Sequence, residues 1–220
     1  MKTICVIPAY NEENNISEVI KRVRPYVSEI VVVNDCSRDN TASIARQVGA
    51  TLISHPINRG QGAALQTGNE YALKNGADII IHFDADNQFQ AEEIPEIIKP
   101  IIDNQAEAVL GSRFLGKKSQ LPKLKRYLIM PLAKIINHIF FNIKLSDPQS
   151  GFRALNRATA EKLIIRNDGM AHCSEILHQL FKNKVKIQEV PITVVYHEFG
   201  QKFSGGIRII KDLLIKKIIK

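Results

Sequence analysis

Ile79-Ile80-Ile81-His82-Phe83-Asp84-Ala85-Asp86-Asn87-Gln88 is the stretch on which the fold turns. An apolar run bounded by Gly76 on one side and polar Asn87-Gln88 on the other has the length of a buried strand that ends in a loop. Two carboxylates two residues apart at a strand end repel each other. A divalent cation shared with a phosphate-bearing ligand relieves that repulsion. An acidic turn without chemistry has the same local pattern, so the rest of the chain has to decide between them.

Working outward, the same strand-then-polar-loop unit recurs. Ile4-Cys5-Val6-Ile7 is expected as a strand ended by Pro8, followed by Ala9-Tyr10-Asn11-Glu12-Glu13 and a helix to about Tyr26 with Ile16, Val19, Ile20 and Val23 on one face. Ile30-Val31-Val32-Val33 runs into Asn34-Asp35-Cys36-Ser37-Arg38-Asp39-Asn40, whose side chains can cap a helix near Thr41 to Val48. Thr51-Leu52-Ile53 is a short strand. Asn58-Arg59-Gly60-Gln61-Gly62 is a small-residue turn into a helix, built either for close packing or for ligand contact. A helix near 91–103 and a strand near 108–110 complete the first half. Alternating strands and helices imply an α/β, Rossmann-like, mostly parallel sheet with helices on both faces. Ligands bind such sheets at the carboxyl ends of the strands. That places Pro8, Tyr10, Asp35 and the Asp84/Asp86 pair along one edge.

The second half differs in charge. Residues 1–110 carry 9 Lys/Arg against 15 Asp/Glu, whereas 111–220 carry 21 against 7. A basic half suits phosphorylated ligands, nucleic acid or an anionic membrane surface. No nucleic-acid motif or aromatic interleaving accompanies the charge, so no nucleic-acid partner is expected. Arg113 follows a strand and Arg153 lies in the polar turn 147–153, with helices near 157–165 and 170–183 and extended pieces at 187–195 broken by Pro191. The apolar stretch 128–141 fits either a core helix or a membrane-surface segment. The glycines of 197–206 suit a mobile lid. The basic amphipathic stretch 207–220 is expected as a helix against a membrane or against its own domain.

Composition narrows the class. At 45% hydrophobic and 24% charged the chain is globular. Three scattered cysteines provide no disulfide framework. Met1-Lys2-Thr3 enters a strand directly, so no leader is expected. Gly-x-Gly-x-x-Gly fails at Leu65, and no P-loop pattern occurs.

Six ordered motifs then spell a family: Pro-Ala-Tyr-Asn-Glu-Glu (8–13), Val-Asn-Asp-Cys-Ser-Arg-Asp-Asn-Thr (33–41), Asn-Arg-Gly-Gln-Gly-Ala-Ala (58–64), Asp-Ala-Asp-Asn-Gln (84–88), Gly-Ser-Arg-Phe (111–114) and Ser-Gly-Phe-Arg (150–153). The chain resembles the family 2 inverting glycosyltransferases, above all the dolichyl- and polyprenyl-phosphate sugar synthases. The resemblance implies a glycosyltransferase-A fold, with residues 1–206 catalytic (1–110 for the nucleotide sugar, 111–206 for the acceptor). It implies a donor such as GDP-mannose or a UDP-sugar, held by Pro8, Tyr10, Glu12, Val33, Asp35, Asp84, Ala85, Asp86, Gln88 and Arg113. Asp84, Asp86 and Arg113 would be catalytic, and Asp86 with Gln88 would hold Mg²⁺ or Mn²⁺. Arg126, Arg153 and Lys202 would meet the acceptor phosphate. A peripheral place at the cytoplasmic face of a membrane follows, with room for a protein partner or membrane subunit. Where the family usually has Gly and often has Lys, this sequence has Cys36 and Gln61. If the acceptor were instead a sugar hydroxyl, a general base would be needed, with Glu175 and Asp147 as candidates.

Overall fold

A computed structural model describes residues 1–116, 145–169 and 171–195. Arg126, Lys202, the lysines of 117–125, the apolar stretch 128–141, the glycine-rich 197–206 and the amphipathic 207–220 lie outside the described residues.

Among the described residues seven strands form one sheet in the order β3-β2-β1-β4-β6-β5-β7. They are β1 Thr3–Ala9, β2 Glu29–Asn34, β3 Thr51–Ser54, β4 Ile79–His82, β5 Ala108–Ser112, β6 Arg153–Asn156 and β7 Ile187–Pro191. All run parallel except β6, which is antiparallel to β4 and β5. Among the described residues the helices are α1 Ile16–Val23, α2 Thr41–Gln47, α3 Gln61–Lys74, α4 Ile94–Ile102, α5 Arg157–Lys162 and α6 His172–Lys182, with 3-10 turns at Arg24–Tyr26 and Ala91–Glu93.

The pleat of the strands sorts their side chains into two cores. Cys5, Ile7, Ile30, Val32, Ile79 and Ile81 point to the face covered by α1 and α4, where Ile16, Val19, Ile20, Ile94 and Ile97 meet them. Ile4, Val6, Val31, Val33 and Ile80 point to the other face, against Ala64, Leu65, Ala72, Ile176, Leu177 and Leu180 from α3 and α6. A strand buried on both faces must be apolar throughout, which is why Ile30–Val33 and Ile79–Ile81 show no polar alternation.

Two strands depart from expectation. β1 continues through Pro8 rather than ending there. The last β1–β4 pair is Val6 with His82, and Pro8 lies beyond it on the side facing β4. Its missing N–H therefore removes no ladder bond. β6 begins at Arg153, the last residue of the expected polar turn 147–153, and runs through Asn156, where no element was expected. Phe152, Ala154 and Leu155 alternate between the two cores, and Arg153 takes an inward position that disguises the pattern.

Candidate active site

The carboxyl ends of β2, β1 and β4 are neighbours, and their loops are stitched together. Asp35 N–H donates to the Ala9 carbonyl (2.9 Å), Asn11 N–H to Ser37 Oγ (3.0 Å), Arg38 N–H to Asn11 Oδ1 (2.8 Å) and Glu12 N–H to Thr41 Oγ1 (2.8 Å). The turns need left-handed backbone at Asn11 (φ 55°), Cys36 (φ 62°) and Asn87 (φ 58°). Asparagine tolerates this conformation; cysteine does so at a cost. Thr41, the first residue of α2, gives its N–H to Asp39 Oδ1 (3.0 Å).

Asp35 is 3% exposed. His55 Nδ1 lies 2.7 Å and Arg59 N 2.9 Å from its Oδ1, while Gly60 N–H donates to Oδ2 (2.6 Å). The carboxylate thus organises the turn into α3, a task the sequence alone did not reveal. Tyr10, just past the end of β1, is 44% exposed. Pro8 and Val33, register partners on β1 and β2, are buried. Val33 at 0% and Ala85 at 4% exposure offer a donor no side-chain surface, because the pleat and the loop turn them into the interior.

Asp84 is partly buried. Gln61 Nε2 donates to its Oδ1 (2.8 Å). Its Oδ2 rests where a side chain on Gly151 would stand, 2.5 Å from that Cβ position. Only glycine in the Ser-Gly-Phe-Arg turn admits the carboxylate. Burial, then Asp86 and Cys173, raise its carboxyl to about 7 against the pull of Arg153 and His172. Glu12 belongs to the same acidic group. Burial raises its carboxyl, Asn15 opposes, and Asp86 and Asp39 add to the rise. Beneath the loop, Phe83, Phe89 and Phe152 pack with ring centroids 5.0–5.7 Å apart. Above it, Arg22 of α1 donates to Asn87 Oδ1 (3.0 Å), Gln90 Oε1 (2.9 Å) and Glu92 Oε2 (2.8 Å). Val195 N–H donates to the Gln88 carbonyl (2.9 Å), so the chain leading into 196–206 is pinned to the acidic loop.

Among the described residues no group of three His, Cys, Asp or Glu side chains is arranged to hold a metal. Hard ions such as Mg²⁺ and Mn²⁺ take oxygen donors and rely on one or two protein ligands plus substrate phosphates. Asp86 and Gln88 supply carboxylate and amide oxygen on one turn, and the mutual repulsion of Asp84, Asp86 and Glu12 favours a cation there.

Both described arginines of the second half's polar turns, Arg113 and Arg153, are engaged within the protein. Arg113 grips Asp147 with two bonds, Nε to Oδ2 and Nη2 to Oδ1, both 2.6 Å, and adds its backbone N–H to Oδ2 (3.1 Å). The Asp147 side chain is 0% exposed. Arg153 is 1% exposed and donates to the Ser150 carbonyl (2.9 Å) and towards Cys173 Sγ (3.5 Å). It is an interior charge beside Asp84. It joins a buried polar group on the α3/α6 face. His82 Nε2 meets Asn69 Oδ1 (2.8 Å), and Cys173 Sγ meets His172 Nε2 (3.4 Å). Burial opposes a Cys173 thiolate, but His172 and Arg153 outweigh it and bring the thiol down to about 6. His172 is raised despite burial, chiefly by Cys173. Sequence reasoning missed Arg22, His55, His172 and Cys173. None carries a local signal, because each acts through a partner distant in sequence.

The geometry agrees with what similarity reveals. The model for "Glycosyl transferase family 2" matches residues 4–164. The chain belongs to glycosyl transferase family 2. Within the family, it is 33% identical to the UDP-N-acetylglucosamine–dolichyl-phosphate N-acetylglucosaminyltransferase of Methanococcus voltae, over 98% of this chain and 96% of that one. It is 30% identical to the undecaprenyl-phosphate mannosyltransferase of Micrococcus luteus, over 94% and 89%. The crystal structure of glucosyl-3-phosphoglycerate synthase from Mycobacterium tuberculosis with Mn²⁺, UDP-glucose and phosphoglyceric acid superposes with a TM-score of 0.77, at 21% identity, over 97% of this chain and 78% of that one. The fold of this family 2 member is therefore glycosyltransferase-A, as its sheet order and its edge of loops require.

Proposed function

We propose that this family 2 enzyme moves a sugar, with inversion, from a nucleotide sugar to a polyprenyl or dolichyl phosphate. The observation that carries the acceptor class is that both candidate bases are already engaged. Arg113 holds both oxygens of Asp147, and Glu175 Oε2 accepts the N–H groups of Arg166 and Asn167 (3.0 and 2.8 Å). A sugar hydroxyl needs a base within reach. A phosphomonoester, with a second pKa of about 6, is already anionic at neutral pH and needs none. Relatives named for transfer to dolichyl and undecaprenyl phosphate, matched along nearly their whole length, support the same acceptor.

In this reading Tyr10, Glu12 and the Asp35 loop receive the nucleoside, and Asp84 contacts the donor sugar-phosphate. Asp86 and Gln88 hold Mg²⁺ or Mn²⁺, which when bound neutralises charge on the leaving diphosphate. Arg22 and the phenylalanine cluster keep the Asp86 turn rigid. Arg113, steered by Asp147, stands at the end of β5 on the acceptor side, and Arg126 and Lys202 complete the cationic supply. The basic second half rests on an anionic membrane from the cytoplasmic face, alone or with a membrane subunit. Among the described residues no helix is long and apolar enough to cross a bilayer.

The test is a panel of UDP- and GDP-sugars incubated with undecaprenyl or dolichyl phosphate and Mn²⁺. A glycolipid that keeps its phosphate charge is the expected product. Transfer only to a saccharide hydroxyl overturns the acceptor assignment. The Asp86→Ala variant is expected to lose transfer and metal-dependent nucleotide binding, and near-normal turnover would sink the metal role. Liposome flotation checks the membrane contact.

A further inference from the structure

Residues 164–168, between α5 and α6, form a strap tied to two helices. On one side α6 presents Glu175 and Gln179, one turn apart. Ile164 N–H donates to Gln179 Oε1 (3.0 Å) and Gln179 Nε2 donates back to the Ile164 carbonyl (2.6 Å). Arg166 and Asn167 N–H both donate to Glu175 Oε2 (3.0 and 2.8 Å). On the other side α3 presents Gly62 and Gln66, again one turn apart. Ile165 N–H donates to Gln66 Oε1 (2.8 Å), and Gly62 N–H donates to the Asp168 carbonyl (2.8 Å). Four successive backbone N–H groups of the strap are thus taken by side chains of α3 and α6. A methyl group on Gly62 would fall on the Asn167 carbonyl oxygen, and one on Gly60 on that of Asp168. Arg59 and Asp168 add an ion pair at 3.5 Å.

The strap therefore seats the turn that begins α3. That turn carries Gln61, whose amide reaches Asp84 (2.8 Å), and Gly60, whose N–H reaches Asp35 (2.6 Å). We infer that Glu175 is a positioning residue for the donor site rather than a proton acceptor. Its carboxylate holds the 166–167 backbone, that backbone holds the Gly60–Gly62 turn, and the turn aims Gln61 at Asp84. The inference rests on the reading that Asp84 contacts the donor.

One oxygen of Glu175 does the holding, and a glutamine amide oxygen can replace it. A glutamine cannot take a proton. Truncation leaves two N–H groups without their acceptor, which frees the strap. The full chain is compared as wild type, Glu175→Gln, Glu175→Ala and Gln61→Ala. Three readouts are taken: amide hydrogen exchange over 60–68 and 164–168, UDP and GDP affinity by calorimetry with Mn²⁺, and transfer kinetics against pH. Glu175→Gln is expected to keep wild-type exchange, an unchanged pH profile and kcat within about threefold. Glu175→Ala is expected to exchange faster in both segments and to raise the donor KM about tenfold, as Gln61→Ala does, while kcat falls less.

Two results overturn the inference. One is Glu175→Gln losing turnover with exchange and nucleotide affinity intact, the behaviour of a base. The other is Glu175→Ala leaving exchange at 60–62 unchanged. If Glu175→Ala does not fold, Glu175→Gln and Gln61→Ala decide. Should no nucleotide sugar be turned over by the wild type, the functional reading fails by itself, and the exchange comparison still decides whether the strap holds the turn.

Discussion

Replacing Asp35 with asparagine changes one atom in a buried junction. In the native side chain Oδ1 faces His55 Nδ1 and Arg59 N–H, and Oδ2 faces Gly60 N–H at 2.6 Å. The amide keeps the shape and one oxygen, so the first two partners are retained. The new NH₂ then points at the Gly60 N–H, donor against donor, at a site 3% exposed. The opposite flip sets the NH₂ against Arg59 N–H instead and gains nothing. The loss is one hydrogen bond to a charged group, worth about 1.5–3 kcal/mol, plus incomplete satisfaction of the groups left behind, for a total of about 2–4 kcal/mol. For a chain of this size that corresponds to a fall in Tm of roughly 5–15 °C. Urea unfolding should show a lower midpoint at unchanged slope, the mark of lost stability without altered compactness. Calorimetry should show weaker nucleotide binding in parallel, because the Gly60 turn that seats Gln61 has loosened. A variant with native stability but weak nucleotide binding would refute the reasoning. Asp35 would then serve the ligand alone, and the loop would not depend on it.

Three further outcomes are expected. Cys36 holds a side chain at φ 62°. Relief of about 1–2 kcal/mol of left-handed strain exceeds the extra unfolded-state freedom of glycine, about 0.5–1 kcal/mol, so Cys36→Gly should raise Tm by a few degrees; a fall would show that the cysteine packing outweighs the backbone. At pH 7 Cys173, brought down to about 6, should be a thiolate paired with His172, visible as an ultraviolet thiolate band that Cys173→Ser removes. Its absence would refute the pairing. The signs of linkage follow from the two shifts. The lowered Cys173 value adds stability that is present above its ordinary 9.0 and lost as pH falls through about 6. The raised His172 value adds stability that is present below its ordinary 6.5 and lost as pH rises through the folded value. Above 6.5 and below the raised His172 value the Cys173 contribution grows with pH while the His172 contribution shrinks, so the two oppose each other there. Replacing either partner should therefore make the unfolding free energy more dependent on pH in that window.

The sequence made the parallel half legible because each unit is local. A continuous apolar strand, a polar turn and an amphipathic helix can be seen in a window of 25 residues. The edge that gathers Tyr10, Asp35 and Asp84 follows from strand direction alone. What stayed hidden depends on neighbours far along the chain. Arg153 looked like a surface cation because its burial is set by β4, β5 and α6 rather than by its own segment. Glu175 looked like a free acid because its partners sit in the strap preceding α6, and the strap in turn meets Gln66, 99 residues away. Gly60 and Gly62 fitted either packing or ligand contact. The carbonyls of Asn167 and Asp168 beside them decide for packing, a fact no local pattern contains.

The reversed direction of β6 has a consequence for how such a protein can change. Chain leaving β5 and chain entering β6 meet at the same edge, where Ser112 Oγ and Ser146 Oγ are 2.5 Å apart across 34 positions of sequence and Arg113 grips Asp147. The excursion between them begins and ends at one clasp. Lengthening a flexible chain between two fixed points costs little in general, about 0.6 kcal/mol for each doubling. The acidic edge across the sheet is untouched by such a change. The clasp thus ties the end of β5 directly to the approach of β6, so the register of the two strands does not depend on how much chain lies between Arg113 and Ser146.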